Sequence, residues 1–175
     1  RKMSAEWAMR ELTDASNRVE GKVTIPEGSR VGQIVKAIAA GSEISEDEVT
    51  AVLDDPKDLG LPEGANGNPE GYLFPATSAF GPKDKPADML ATMVDRWRQA
   101  AEEAGLEEAA EQLGYTPHEL MTVASLVEAE GRGEDMPKVA RVIYNRLEIG
   151  SNPSAGFLQS AAAVNYALGR RPLTR

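Results

Sequence analysis

The chain has 175 residues and no cysteine, and His118 is its only histidine. Without cysteine there can be no disulfide, no thiolate metal site and no cysteine nucleophile, although the compartment stays unnamed. One histidine excludes a multi-histidine metal site and argues against a Ser-His-Asp triad. Positive charge is scarce: 19 Lys+Arg stand against 28 Asp+Glu, a formal net charge of −9. That balance argues against nucleic acid or an anionic membrane surface as the main partner. No run approaches the roughly 20 apolar residues that span a bilayer, and Arg1 to Arg10 hold no signal-peptide core. What is present is ordinary for a globular chain, with 41% hydrophobic and 27% charged residues. The length accommodates one domain or two small ones. Acid–base chemistry therefore falls to the carboxylates.

Both ends read as cut, since the chain opens inside a helical pattern and stops at Leu173-Thr174-Arg175 without a tail. The expectation is a fragment, with any export signal or anchor lying outside it. The first helical pattern runs through Trp7, Met9 and Leu12. Lys22-Val23-Thr24-Ile25 alternates like a short strand and ends at Pro26-Glu27-Gly28. Ser29 is the expected N-cap of a helix carrying Val31, Ile34, Val35 and Ile38 at spacings of three and four. Ser45 with Glu48 forms a capping box for a short helix that halts before Pro56. Lys57 to Pro69 reads as loop, and Tyr72-Leu73-Phe74 is the expected second strand of a βααβ module.

Beyond Gly81 the pattern becomes helical. Met89, Met93, Trp97 and Ala101 mark one helix, with Trp97 expected in the core. Leu106 to Leu113 marks a shorter one, and Glu102, Glu103, Glu107 and Glu108 read as a solvated face. Thr116-Pro117-His118-Glu119 combines N-cap, first-turn proline and capping glutamate, opening a helix from Leu120 to about Glu130. His118 is expected to be exposed there. Met136-Pro137 starts another helix, with Val139, Val142, Ile143 and Leu147 inward and Gly150 at its end. Ser160 is a candidate cap for a last short helix.

On a helical wheel at about 100° per residue, Val123, Ala124 and Val127 share the side of Leu120. Glu128 falls between Ala124 and Met121, a carboxylate set in an apolar stripe. Burial there would disfavour the charged form and suit a general acid at neutral pH. Pairing at the helix edge with Arg132, Arg141 or another base is the plainer reading. Glu130, on the other flank, reads as solvated or paired.

Ala124-Ser125-Leu126-Val127-Glu128-Ala129-Glu130, followed by Pro137-Lys138-Val139-Ala140 and Val142-Ile143-Tyr144-Asn145-Arg146-Leu147, resembles the core of the MltG/YceG-like endolytic murein transglycosylases. Ile25-Pro26-Glu27-Gly28 is similar to that family's LysM-like module. Glu70-Gly71-Tyr72-Leu73-Phe74-Pro75 resembles a second signature, and Leu158-Gln159-Ser160 with Val164-Asn165-Tyr166 a third. The resemblance implies an α+β chain: a LysM-like βααβ module, then a mainly helical catalytic domain lacking its C-terminal part. It divides the chain into the end of a preceding module or a linker helix at 1–21, LysM-like module and hinge at 22–80, and catalytic domain at 81–175.

The same resemblance implies cleavage of the MurNAc–GlcNAc β-1,4 bond inside peptidoglycan glycan strands, leaving a 1,6-anhydro end. Glu128 is then the catalytic residue, and no metal or cofactor is implied. Because the sugar's own 6-hydroxyl attacks, one glutamate serves as acid and then base, where a hydrolase needs a second carboxylate. Glu70, Tyr72, Phe74, Ser125, Asn145, Gln159, Ser160, Asn165 and Tyr166 are the candidate substrate-binding residues.

Several of these keep a structural reading beside the functional one. Tyr72 and Phe74 either stack on sugar rings or belong to a strand core. Ser160 either meets sugar or caps its helix, and Ser125 either buttresses the site or bonds back along its helix. Asn145 faces either the cleft or water. The implied setting is the outer face of a bacterial cell membrane, held by a single-pass anchor outside this chain, with peptidoglycan synthases (penicillin-binding proteins) as candidate partners.

The third signature departs from its usual form. Ala161 stands where the family has Asp, and Ala163 where it has Thr. A catalytically impaired peptidoglycan-binding module is therefore the first rival reading. A second is a pyridoxal phosphate enzyme, which the family's frequent label "aminodeoxychorismate lyase-like" would imply. That chemistry needs a Schiff-base lysine beside phosphate-binding elements, and nothing around Lys138 resembles a phosphate cradle.

Overall fold

The computed structural model describes residues 3–14, 21–75, 77–80, 84–148 and 156–169, and it is mainly helical. The chain divides after Ala101 into two compact units.

The first unit opens with helix α1 (Ala5–Thr13), whose N-terminus is capped by Ser4 Oγ accepting the Trp7 N–H at 3.2 Å. None of its residues is buried, and Met3, Trp7, Met9 and Leu12 are exposed. Strand β1 (Gly21–Thr24) pairs antiparallel with β2 (Thr77–Phe80) in a two-stranded sheet, Gly21 opposite Phe80 and Thr24 opposite Thr77. Between them lie α2 (Val31–Gly41), α3 (Glu46–Asp54) and two 3-10 turns, Pro56–Leu59 and Glu63–Ala65. Helix α4 (Pro86–Glu103) follows β2.

Two α-helices and two 3-10 turns thus separate the paired strands, and the second strand lies later than the expected Tyr72-Leu73-Phe74. That segment is turn instead. Asn66, Gly67 and Gly71 all have positive φ (49°, 75° and 86°), which folds the chain back and prevents an extended run. The Tyr72 N–H closes onto the Pro69 carbonyl at 3.0 Å.

One apolar core holds the unit together. Val23, Ile25, Ile34, Val35, Ile38, Val49, Leu59 and Leu73 meet Met89, Leu90, Met93 and Val94 of α4. Each such side chain contributes about 1.5–3 kcal/mol on leaving water. The spacing of three and four that marks α4 as amphipathic therefore serves this core, although the expected boundary at 81 assigned α4 to the catalytic part. Trp97 is half-buried on the same helix. Gly60, left-handed at φ +68°, ends the first 3-10 turn and offers its carbonyl to the Arg98 guanidinium of α4.

The second unit contains α5 (Leu106–Leu113), α6 (Pro117–Glu130), a 3-10 turn (Gly133–Asp135), α7 (Met136–Leu147) and α8 (Ala161–Ala167). Glu102, Glu103, Glu107 and Glu108 are exposed, as a solvated face requires, and His118 is exposed. Only Ala110, Val123 and Ile143 among its described apolar side chains are buried. Val139 and Leu147 are half-buried, while Val142 faces out at 47% exposure. The expected end of α7 at Gly150 lies outside the described residues.

Candidate active site

Local sequence chemistry sets both ends of α6. Thr116 Oγ1 accepts the Glu119 N–H at 3.2 Å, and the Glu119 carboxylate accepts the Thr116 N–H at 2.8 Å. The two orphan donors are satisfied reciprocally, with Pro117 at the first helical position, where it loses no hydrogen bond. At the far end the Gly131 N–H reaches the Val127 carbonyl at 2.7 Å. Gly131 is buried, and a Cβ there would stand 2.8 Å from that same oxygen and 3.1 Å from Met136 Cγ. The absence of a side chain lets the chain leave α6 and enter α7 in a tight joint.

Glu128 lies in the last turn of α6 and is exposed. The expected burial in an apolar stripe is not what the fold provides. Val123 is buried, Leu120, Met121, Leu126 and Val127 are half-buried, and Ala124 is exposed. Apolar contacts thus spread around the helix, because α5, α7 and α8 all pack on it. Glu128 is left on its open edge.

Glu130, the final residue of α6, has a specific partner. Its Oε1 accepts the Ser160 hydroxyl at 2.9 Å. Ser160 Oγ in turn accepts the Ala163 N–H at 3.3 Å, so it caps α8 while holding α6. Arg146 Nη1 donates to the Leu158 carbonyl at 2.6 Å. Gln159, between these tethers, is exposed and left-handed at φ +53°.

The remaining candidates fall as follows. Ser125 Oγ donates to the Thr122 carbonyl at 2.7 Å, bonding back along its own helix. Asn145 is exposed on α7, Asn165 half-buried and Tyr166 exposed on α8. Lys138 is exposed and pairs with Asp135 at 2.9 Å. Tyr144 meets Tyr115 with ring centroids 5.5 Å apart, and burial, followed by the Tyr115 neighbour, pushes its hydroxyl above the usual tyrosine range.

Glu70, Tyr72 and Phe74 belong to the first unit. Glu70 Oε2 accepts the Val31 N–H at 2.9 Å and so caps α2. Ser29, the expected cap, instead donates to the Pro26 carbonyl at 2.7 Å. Tyr72 is 4% exposed and sets its ring edge against Trp97 at 4.7 Å and 62°, which is the core reading. Burial raises its hydroxyl pKa. Phe74 is 37% exposed, with its N–H on the Met93 carbonyl. Glu70 also borders a depression of about 190 Å³ lined by Ile25, Gly28, Val31 and Leu73.

Glu130 and Arg146 are the residues whose part the sequence left undefined. Their partners lie 30 and 12 positions away, beyond the reach of any local pattern.

A family model described as the YceG-like family matches residues 1–175. A Bacillus subtilis (strain 168) protein named endolytic murein transglycosylase is 30% identical over 184 residues, covering 96% of this chain and 49% of that one. A Streptococcus pneumoniae serotype 2 protein of the same name is 32% identical over 196 residues, covering 96% of this chain and 34% of that one. The chain thus spans between a third and a half of the length of these curated relatives. A crystal structure of a yceG-like protein from Listeria monocytogenes shares the fold at a TM-score of 0.71 and 23% identity, covering 99% of this chain and 60% of that one.

Proposed function

Because this chain belongs to the YceG-like family, we propose that it is part of an endolytic murein transglycosylase in which Glu128 is the catalytic acid and base. The observation that carries this reading is the match along the whole chain to relatives named for that activity. The exposure of Glu128 in the last turn of a helix capped at both ends supports it, since a polymeric substrate must reach the acid from outside.

The substrate is the peptidoglycan glycan strand. Glu128 gives its proton to the bridging oxygen as the bond from C1 of MurNAc breaks and positive charge develops on the sugar. The ring's 6-hydroxyl then closes on C1, and the Glu128 carboxylate takes the hydroxyl proton. Atoms balance without water, and the acid is regenerated. A sugar ring laid over the exposed carboxylate displaces solvent from it, so the substrate completes the dry environment that the helix alone lacks.

Gln159, Asn145, Asn165 and Tyr166 offer donors and acceptors suited to sugar hydroxyls and acetamido groups. The first unit is a LysM-like glycan-binding module, a reading supported by its βααβ order and antiparallel pairing. The working site is the outer face of the cell membrane, with an anchor outside this chain and peptidoglycan synthases as partners. Among the described residues no helix is long and apolar enough to cross a membrane.

One observation favours a second reading. Ala161, at the exposed first position of α8, stands beside Ser160 where the family's signature has an acid. On that reading the protein binds glycan without cutting it. Purified glycan strands incubated with the full-length protein decide between the two. Mass spectrometry should find 1,6-anhydro ends, and strand binding without such ends would overturn the enzymatic reading.

A further inference from the structure

Leu158, Gln159 and Ser160 form a segment fastened at both ends. Arg146 of α7 holds the Leu158 carbonyl at 2.6 Å, and Glu130 of α6 holds the Ser160 hydroxyl at 2.9 Å. Among the described residues only Asn66 and Gln159 combine a side chain beyond glycine with a positive φ. Asparagine tolerates the left-handed region because its short amide bonds locally, so Asn66 needs no further cause. Glutamine has no such ease. A glutamine held at φ +53° persists only where its surroundings over-determine the backbone, and such strain collects at functional sites.

The two tethers supply that over-determination. They come from different helices and grip the residues immediately before and after Gln159. The Gln159 side chain is exposed, with an amide offering one acceptor oxygen and two donor hydrogens. Glu130 closes the same helical turn that carries Glu128, so the segment is moored within about one turn of the proposed acid. Ser160, by contrast, already engages both Glu130 and the α8 N-terminus.

We infer that Glu130 and Arg146 are positioning residues, holding Gln159 in a left-handed conformation that presents its amide to the glycan. The inference rests on the transglycosylase reading for the identity of the ligand, and it separates the two acids in the last turn of α6 by role. Glu128 touches the reacting atoms, while Glu130 acts through Ser160 on the segment that seats the sugar.

The test is a double-mutant cycle in the full-length protein with glycan strands as substrate. Glu130→Ala should raise KM about fivefold with kcat within about twofold, the size expected for one lost positioning hydrogen bond. Glu130→Gln, whose amide oxygen still accepts from Ser160, should restore the parent value. Gln159→Gly removes the amide and relieves the backbone, and should raise KM by a similar factor. The double variant Glu130→Ala/Gln159→Gly should be no worse than Gln159→Gly alone, because the tether then has nothing to position. Arg146→Lys, which keeps a donor, should lie nearer the parent than Arg146→Ala.

The same cycle read as strand affinity in a Glu128→Gln background is independent of turnover. An unchanged KM in Glu130→Ala, a loss that Glu130→Gln does not restore, or additive effects in the double variant would each overturn the positioning role. Normal cleavage by Glu128→Gln would instead overturn the assignment of the acid and leave the affinity cycle standing.

Discussion

The Glu70 carboxylate accepts the Val31 backbone N–H at 2.9 Å, so a turn residue caps a helix that begins 39 positions earlier. An anion at a helix N-terminus satisfies an orphan donor and meets the positive end of the helix dipole. Glu70→Ala should destabilise the first unit by about 1–2 kcal/mol in urea unfolding, with Glu70→Gln recovering part of the loss. Parent-like stability together with lost glycan affinity would return Glu70 to the binding surface.

Tyr72 and Trp97 make the corresponding test for the aromatic residues. Tyr72→Leu keeps an apolar side chain but loses the edge-to-face contact and part of the buried volume. A cost of about 2 kcal/mol is expected, with KM for glycan unchanged. A raised KM at parent stability would show that the ring meets sugar.

Glu128→Gln should abolish the appearance of 1,6-anhydro ends while keeping the thermal transition within about 3 °C of the parent. The residue is exposed, and the replacement preserves shape, so packing has little to lose. The experiment pairs product analysis with a melting curve on the same sample.

Gly131→Ala should destabilise the joint between α6 and α7. The added Cβ meets the Val127 carbonyl at 2.8 Å, and a backbone oxygen inside a helix cannot move aside as a flexible side chain would. A loss of about 1–3 kcal/mol is expected by chemical denaturation, against no loss for Gly32→Ala in α2, where an added Cβ meets nothing within 4 Å and φ is not left-handed.

Acid should weaken two helix starts together. Glu48 and Glu119 are held below the ordinary carboxylate range, each chiefly by the backbone N–H of its N-cap residue and then by that residue's hydroxyl. A pKa lowered by folding means that the folded state binds fewer protons. The stabilisation is complete above the unfolded value of about 4.3 and is lost as pH falls through the lower folded value. Stability measured from pH 5 down to pH 3 should decline, and the double variant Glu48→Gln/Glu119→Gln should flatten that decline. An unchanged slope would remove the capping carboxylates from the acid response.

The capping boxes at Ser45–Glu48 and Thr116–Glu119, the amphipathic spacing of α2 and α4, and the serine cap of α8 follow from sequence alone. The caps close within three residues and the spacing is read along the helix itself, so the chain's own order contains both. The signatures around Glu128 and Gln159 identify the family in the same way, because they are runs of adjacent residues. Tertiary structure decided the rest. Strand β2 formed at Thr77–Phe80, because left-handed positions through Gly71 turn the Tyr72 segment away from a strand. Glu70, and not Ser29, capped α2, and Glu130 found Ser160, through contacts spanning 39 and 30 positions. Glu128 came to lie in the open because three helices divide the apolar surface of α6 among them. A helical wheel gives the direction of each side chain from its own axis; which directions face protein and which face water depends on where the neighbouring helices come to rest.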